Sequence, residues 1–214
     1  MSSVTVRGSA LAAVTPDRAE LSLALTHLAP DAAGALDEIA ARSQRLEQIL
    51  IGLGFNSDDW ATDGVQIAEE YQWKKETNVL VGHRATTALT VTIRSPDLVS
   101  AVIRDGVSTA GASVRSLAWR VDDDNPARAA LLGAAARDAR VRATAYVEAL
   151  DLHLGDVELI SETPIEAEPS PHPRMMMAAK MADGGGAGEL SVNGGRVELS
   201  AEVSVRFTIN VNGE

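Results

Sequence analysis

"VELSAEVSVRFTINV", residues 197–211, decides the fold. Val197, Leu199, Ala201, Val203, Val205, Phe207, Ile209 and Val211 alternate without a break against Glu198, Ser200, Glu202, Ser204, Arg206, Thr208 and Asn210. Period-two alternation places all the apolar side chains on one face of an extended chain, so the stretch is a half-buried strand. It far exceeds the usual strand of about five or six residues. A strand so long lies centrally in a sheet or bridges two parts of the molecule.

The pattern upstream supplies partners. Residues 4–14 and 18–26 read as an antiparallel pair around the turn "TPD" at 15–17, with Ala19, Leu21, Leu23 and Leu25 inward. Asp31 is a good N-cap for a helix whose apolar face holds Leu36, Ile39, Leu46, Ile49 and Leu53, with Gly54 ending it. Strands at about 60–73 and 79–94 flank the polar tip "KKETN". Val65, Ile67, Tyr71 and Trp73 share one parity of the first, and Ala85, Leu89, Val91 and Ile93 one face of the second. Ser95, Pro96 and Asp97 open a second helix with Val99, Val102, Ile103 and Ala110 inward.

Leu117, Trp119 and Val121 mark another strand. Asn125 and Pro126 start a long helix, predicted to bury Leu132, Ala136, Ala139, Ala143, Val147 and Leu150. A short strand at about 156–162 follows. Helices set among antiparallel strands define an α+β class: a largely antiparallel sheet, about three helices on one face and a long C-terminal strand. Residues 1–214 read as a single domain that allows two subdomains. A loop rich in Pro, Met and Gly spans 163–195, longer than compact domains usually tolerate without a function.

Composition narrows the classes of function. The formal charge of −11 argues against nucleic acid, which needs a basic footprint, and against docking on anionic lipid. The absence of cysteine removes disulfides, thiol catalysis and Cys-ligated metal. The start "MSSVTVRGSA" has no basic-then-apolar leader, and no run reaches the ~18 apolar residues of a membrane helix, so the expected place is the cytoplasm. Aromatics are only 3% of residues, which leaves the core to Ala, Val, Leu and Ile.

Catalytic signatures are weak. His27, His83, His153 and His172 are scattered without metal spacing, and a satisfied strand histidine outweighs a ligand at His83. No serine sits in a GxSxG elbow, and "GGGAG" at 184–188 lacks the Lys-Ser/Thr of a phosphate loop. Asp122, Asp123 and Asp124 suit a hard cation, but better suit a strand-to-helix connection with capping. Arg128, Arg137, Arg140 and Arg142 read as a solvated or inter-subunit helix face. For Tyr71 and Trp73, core or hairpin packing outweighs a contact patch.

Four segments in order carry a likeness: "VTVRGSALAAVTPDRAELSLAL", "GHRATTALTVTIRSPDLVSAVIRDGVSTAGASV", "ARAALLGAAARDARVRATAYVEALDLHLGDVELISE" and "GGRVELSAEVSVRFTI". Together they resemble the SIMPL-domain family, which includes YggE-like oxidative-stress proteins and a periplasmic immunogen. The resemblance implies an α+β domain that self-associates, in some members into large rings, with no agreed activity and no catalytic residues. Many relatives are exported, whereas no leader is visible here. Relatives often have Gly after the long helix where this chain has Asp151, a residue that enters a left-handed cap at some cost.

The expected function is therefore a non-enzymatic homo-oligomeric scaffold or interaction protein of the SIMPL type, linked to oxidative-stress tolerance, without cofactor. The rivals are an enzyme or small-ligand binder whose site forms at subunit junctions, and a Met-based metal or redox sensor. Met175, Met176, Met177 and Met181, in "PSPHPRMMMAAKMADGGG" at 169–186, are the candidate interaction loop. Their thioethers suit Cu(I) or reversible oxidation, but on an arm between prolines and glycines they best suit adaptable protein contact.

Overall fold

The computed structural model describes residues 2–74, 76–162, 166–167 and 192–211. It contains three α-helices and two antiparallel sheets, the α+β class read from the sequence. The chain divides into two compact units, each with its own sheet.

In the first unit β1 (Ser3–Val14), β8 (Val197–Val211) and β6 (Leu152–Glu162) run in the order β1-β8-β6. A two-residue strand β7 (Glu166–Ala167) also pairs with β8. The long strand is thus central. It matches all twelve residues of β1, from Ser3 opposite Thr208 to Val14 opposite Val197. Helix α3 (Pro126–Glu148) covers its apolar face, where Leu199, Val205 and Phe207 are buried.

Alanine makes that contact close. Leu131, Ala135, Ala139, Ala143 and Val147 recur every four residues as the buried line of α3. Gly8 of β1 lies beneath them, and a Cβ there would overlap the carbonyl of Ala135 and the amide of Ala139. The expected face was right at Ala139, Ala143 and Val147. Leu132 and Ala136 were one residue off, because the line nearest the sheet follows the small residues, and Leu150 lies past the helix end and is exposed. Asp151 takes φ 54, the left-handed conformation a helix exit needs.

The second unit holds β2 (Arg18–Ala29), β3 (Trp60–Lys74), β4 (Thr77–Ile93) and β5 (Ser113–Arg120) in the order β3-β4-β2-β5. Helix α1 (Ala32–Gly52) packs on β2 and β4, and helix α2 (Asp97–Ala110) on α1, β2 and β5. Leu21, Leu23, Leu25, Leu89, Val91 and Ile93 are buried from the sheet, and Ile39, Leu46, Leu50, Val99 and Val102 from the helices. Each such side chain contributes about 1.5–3 kcal/mol by leaving water.

Three local expectations need correction. β1 and β2 do not pair: they belong to different sheets, and "TPD" carries the chain from one to the other. Asp17 accepts from the Asp122 amide at 2.7 Å and from the Asn125 side chain at 2.9 Å, so the turn chemistry is spent on that junction. On α1 the buried residues are Ala35, Ile39, Leu46 and Leu50, while Leu36 is exposed. On α2, Gly106 lies in the buried stripe, Ile103 is only part-buried, and the Ser95 side chain does not cap. Asp31 does cap α1, accepting from the Gly34 amide at 2.9 Å.

Candidate functional site

The chemical candidates resolve into structural roles. Asn125 caps α3 by accepting from the Ala127 amide at 2.9 Å, with Pro126 at the first helical position. Arg128 turns back over the acidic run, donating to the carbonyls of Asp122 and Val121 at 2.9 and 3.0 Å and pairing with Asp123 at 3.5 Å. The run is therefore the strand-to-helix connection its composition suggested. Arg142 pairs with Asp138, whose carboxylate also accepts from the Ser9 amide of edge strand β1 at 2.9 Å. That Ser9 bond, with Arg142 beside it, holds the Asp138 carboxyl below its usual range.

The described histidines, His27, His83 and His153, join no metal-holding cluster. His27 lies 3.4 Å from Arg42, and His83 has its Nδ1 3.4 Å from the Pro30 carbonyl, a satisfied strand position. His153 is exposed on β6. His172 and the interaction-loop candidates Met175, Met176, Met177 and Met181 lie outside the described residues.

Two open grooves mark the surface. One of about 860 Å³ runs along α1 beside Arg45, Glu47, Gln48 and Thr109. The other, about 660 Å³, lies between the end of β1 and the start of α3, beside Leu11, Pro16, Asn125 and Ala130. No group with a displaced pKa among the described residues lines either groove. At Glu20, partial burial pushes the carboxyl upward, but the hydrogen bonds and charges of Arg120 and Arg18 outweigh it and the net displacement is downward. This is the signature of a surface ion-pair cluster.

The most distinctive surface is the β3–β4 hairpin. The two strands pair from Trp60 opposite Val91 to Lys74 opposite Thr77, whereas β2 follows β4 only as far as Ala29 opposite His83. Beyond that point the hairpin continues as a two-stranded arm. Gly82, at φ 150, lets it pass the end of β2, since a Cβ there would overlap the Ala29 carbonyl. Val81 is an extra residue on β4, so Glu70 faces Gly82 and Tyr71 faces Leu80.

The arm leaves Tyr71 53% and Trp73 67% exposed, with Val79, Leu80 and Val81 also open to solvent. Of the expected core or hairpin packing for this aromatic pair, the core part does not hold: both residues lie on the hairpin and stay exposed. Period-two parity gave the right face, but among the described residues no third strand or helix reaches so far along it. Glu70 accepts two bonds from Arg84, at 2.9 and 3.0 Å, which hold its carboxyl below the usual carboxylate range. The Tyr71 hydroxyl donates to Glu69 at 2.6 Å, and that bond raises the phenol. β3 is also an edge strand, as are β5, β1 and β6, and β6 exposes Val157, Leu159 and Ile160.

Two antiparallel sheets whose edge strands are unpaired among the described residues, three helices and a long central C-terminal strand define an α+β protein. The chain belongs to the SIMPL family, described as a protein of unknown function (DUF541), whose profile matches residues 4–207 and so spans both units. No curated protein matches the chain. Among the described residues, no helix is long and apolar enough to cross a membrane.

Proposed function

We propose that this chain is a homo-oligomeric scaffold or interaction protein that performs no covalent chemistry. The observation that carries the reading is the pair of edge strands, β3 and β6, bearing exposed apolar side chains. Soluble proteins blunt such edges with charge, bulges or a covering element, or else pair them, because unpaired backbone groups beside apolar side chains template association. The ionisable groups with displaced pKa support it as well, since each sits in a surface ion pair or hydrogen bond away from the grooves. A role in oxidative-stress tolerance rests on the likeness to YggE-like proteins.

Gel filtration with light scattering tests the reading. The expected mass is a multiple of the 22.5 kDa chain that grows with concentration. A monomer persisting at high micromolar concentration contradicts it.

A further inference from the structure

We propose that the β3 edge of one copy pairs antiparallel with β3 of a second copy, about a two-fold axis through Gln72. The inference rests on the scaffold reading and names the surface through which it acts. Residues 69–75 read "EEYQWKK". Turned end for end about Gln72, the stretch sets acid against base and aromatic against aromatic. Glu70 of each copy then stands opposite Lys74 of the other, Tyr71 opposite Trp73, and Gln72 opposite itself.

The geometry of β3 supports this register. The irregularity near Tyr71 places the extra residue on β4, so β3 runs without a bulge of its own from Val65 to Lys74. Its outer border is unpaired among the described residues. In an antiparallel pair, residues directly opposite share a face and interact most strongly. One face of the joined arms would carry Tyr71, Trp73 and Leu80 from both copies, and the other Glu70, Gln72 and Lys74. Apolar contacts therefore meet apolar ones and charges meet their opposites. An isologous contact requires such self-complementarity.

Charge placement distinguishes this from a guarded edge. A lysine on an edge strand commonly deters pairing, and Lys74 alone would read that way. Here the acid lies at the mirror position about Gln72. Lys74 has no acidic partner among the described residues, while Glu70 is held in place by Arg84. Trp73 and Tyr71 are two of only seven aromatic residues in the chain, and both project from an arm that contributes no buried core side chain. A tip-to-tip contact of this length buries on the order of 1,000 Å², the low end for specific association, so it forms in a concentration-dependent way.

The chain has no cysteine, which makes cross-linking a clean test. Gln72→Cys should oxidise to a covalent dimer of twice 22.5 kDa, because the two positions face each other at a separation a disulfide spans. Val65→Cys, on the same strand but far from the axis, should not. Lys74→Glu turns two attractive pairs into repulsive ones and should weaken association about tenfold. Trp73→Ser should weaken it at least as much, with the subunit's melting unchanged because the side chain is exposed. An oligomer whose mass ignores Lys74→Glu and Trp73→Ser, with no Gln72→Cys cross-link, overturns this interface but leaves the scaffold reading standing. A wild-type chain that stays monomeric overturns both.

Discussion

Gly8→Ala is expected to destabilise the first unit by about 3 kcal/mol, the upper range for overpacking a tight contact. The added methyl would enter the space of the Ala135 carbonyl and the Ala139 amide and side chain. Two of those three neighbours are helix backbone, which has no rotamer to turn away. Relief requires α3 to rise off β1, loosening the packing of Ala135, Ala139 and Ala143 along the whole line. Denaturant melts followed by far-ultraviolet circular dichroism measure it. Fluorescence is the wrong probe, because Trp60, Trp73 and Trp119 all lie in the second unit. Gly52→Ala, with open space around the new methyl, is the control and should be neutral or slightly stabilising. A Gly8→Ala protein as stable as wild type would show that the helix does not sit on this glycine.

Phe207→Ala should cost about 3–5 kcal/mol, as removal of a buried aromatic side chain does. Among the described residues Phe207 is the largest fully buried one, on β8 between Val4 of β1 and Val157 of β6. Its ring lies on the central strand of a sheet whose other buried residues are aliphatic, among them Val205, Val203 and Leu199, so no second ring is there to take its place. A circular-dichroism melt again reads the loss, and a cost under about 1 kcal/mol would contradict the packing. With only two phenylalanines in the chain, no second large ring shares that load.

Local signals in the sequence were legible where chemistry and geometry coincide. Asp31, Asn125 and Pro126 marked helix starts because a capping side chain acts on backbone groups within three residues. The long alternation of 197–211 pointed to a strand that lies centrally or bridges two parts, and β8 is central, between β1 and β6. Pairing of β1 with β2 was misread for the opposite reason. A turn signal says that the chain bends, but strand partners are chosen by face and length across the whole chain, and β8 lies nearly two hundred residues from β1. The phase of α3 slipped at Leu132 and Ala136, where a run of alanines gives periodicity little to hold.

The candidate site was half visible. Tyr71 and Trp73 were singled out and assigned to packing, since parity cannot reveal how far neighbouring strands extend. That β2 stops at Ala29 while β4 continues to Thr77 is a fact of register alone. The one signal that could have found the surface is the symmetry of "EEYQWKK", which has meaning only once β3 is known to be an edge.

Hydrogen exchange at β3 tests the central claim most directly. Amides of an unpaired edge strand that point away from β4 exchange quickly, and those bonded to a second copy do not. Peptides covering Glu69 to Lys74 should therefore be protected at high protein concentration and lose that protection on dilution, while β2, buried at the middle of its sheet, stays protected throughout. Fast exchange of those β3 amides at every concentration would contradict the account.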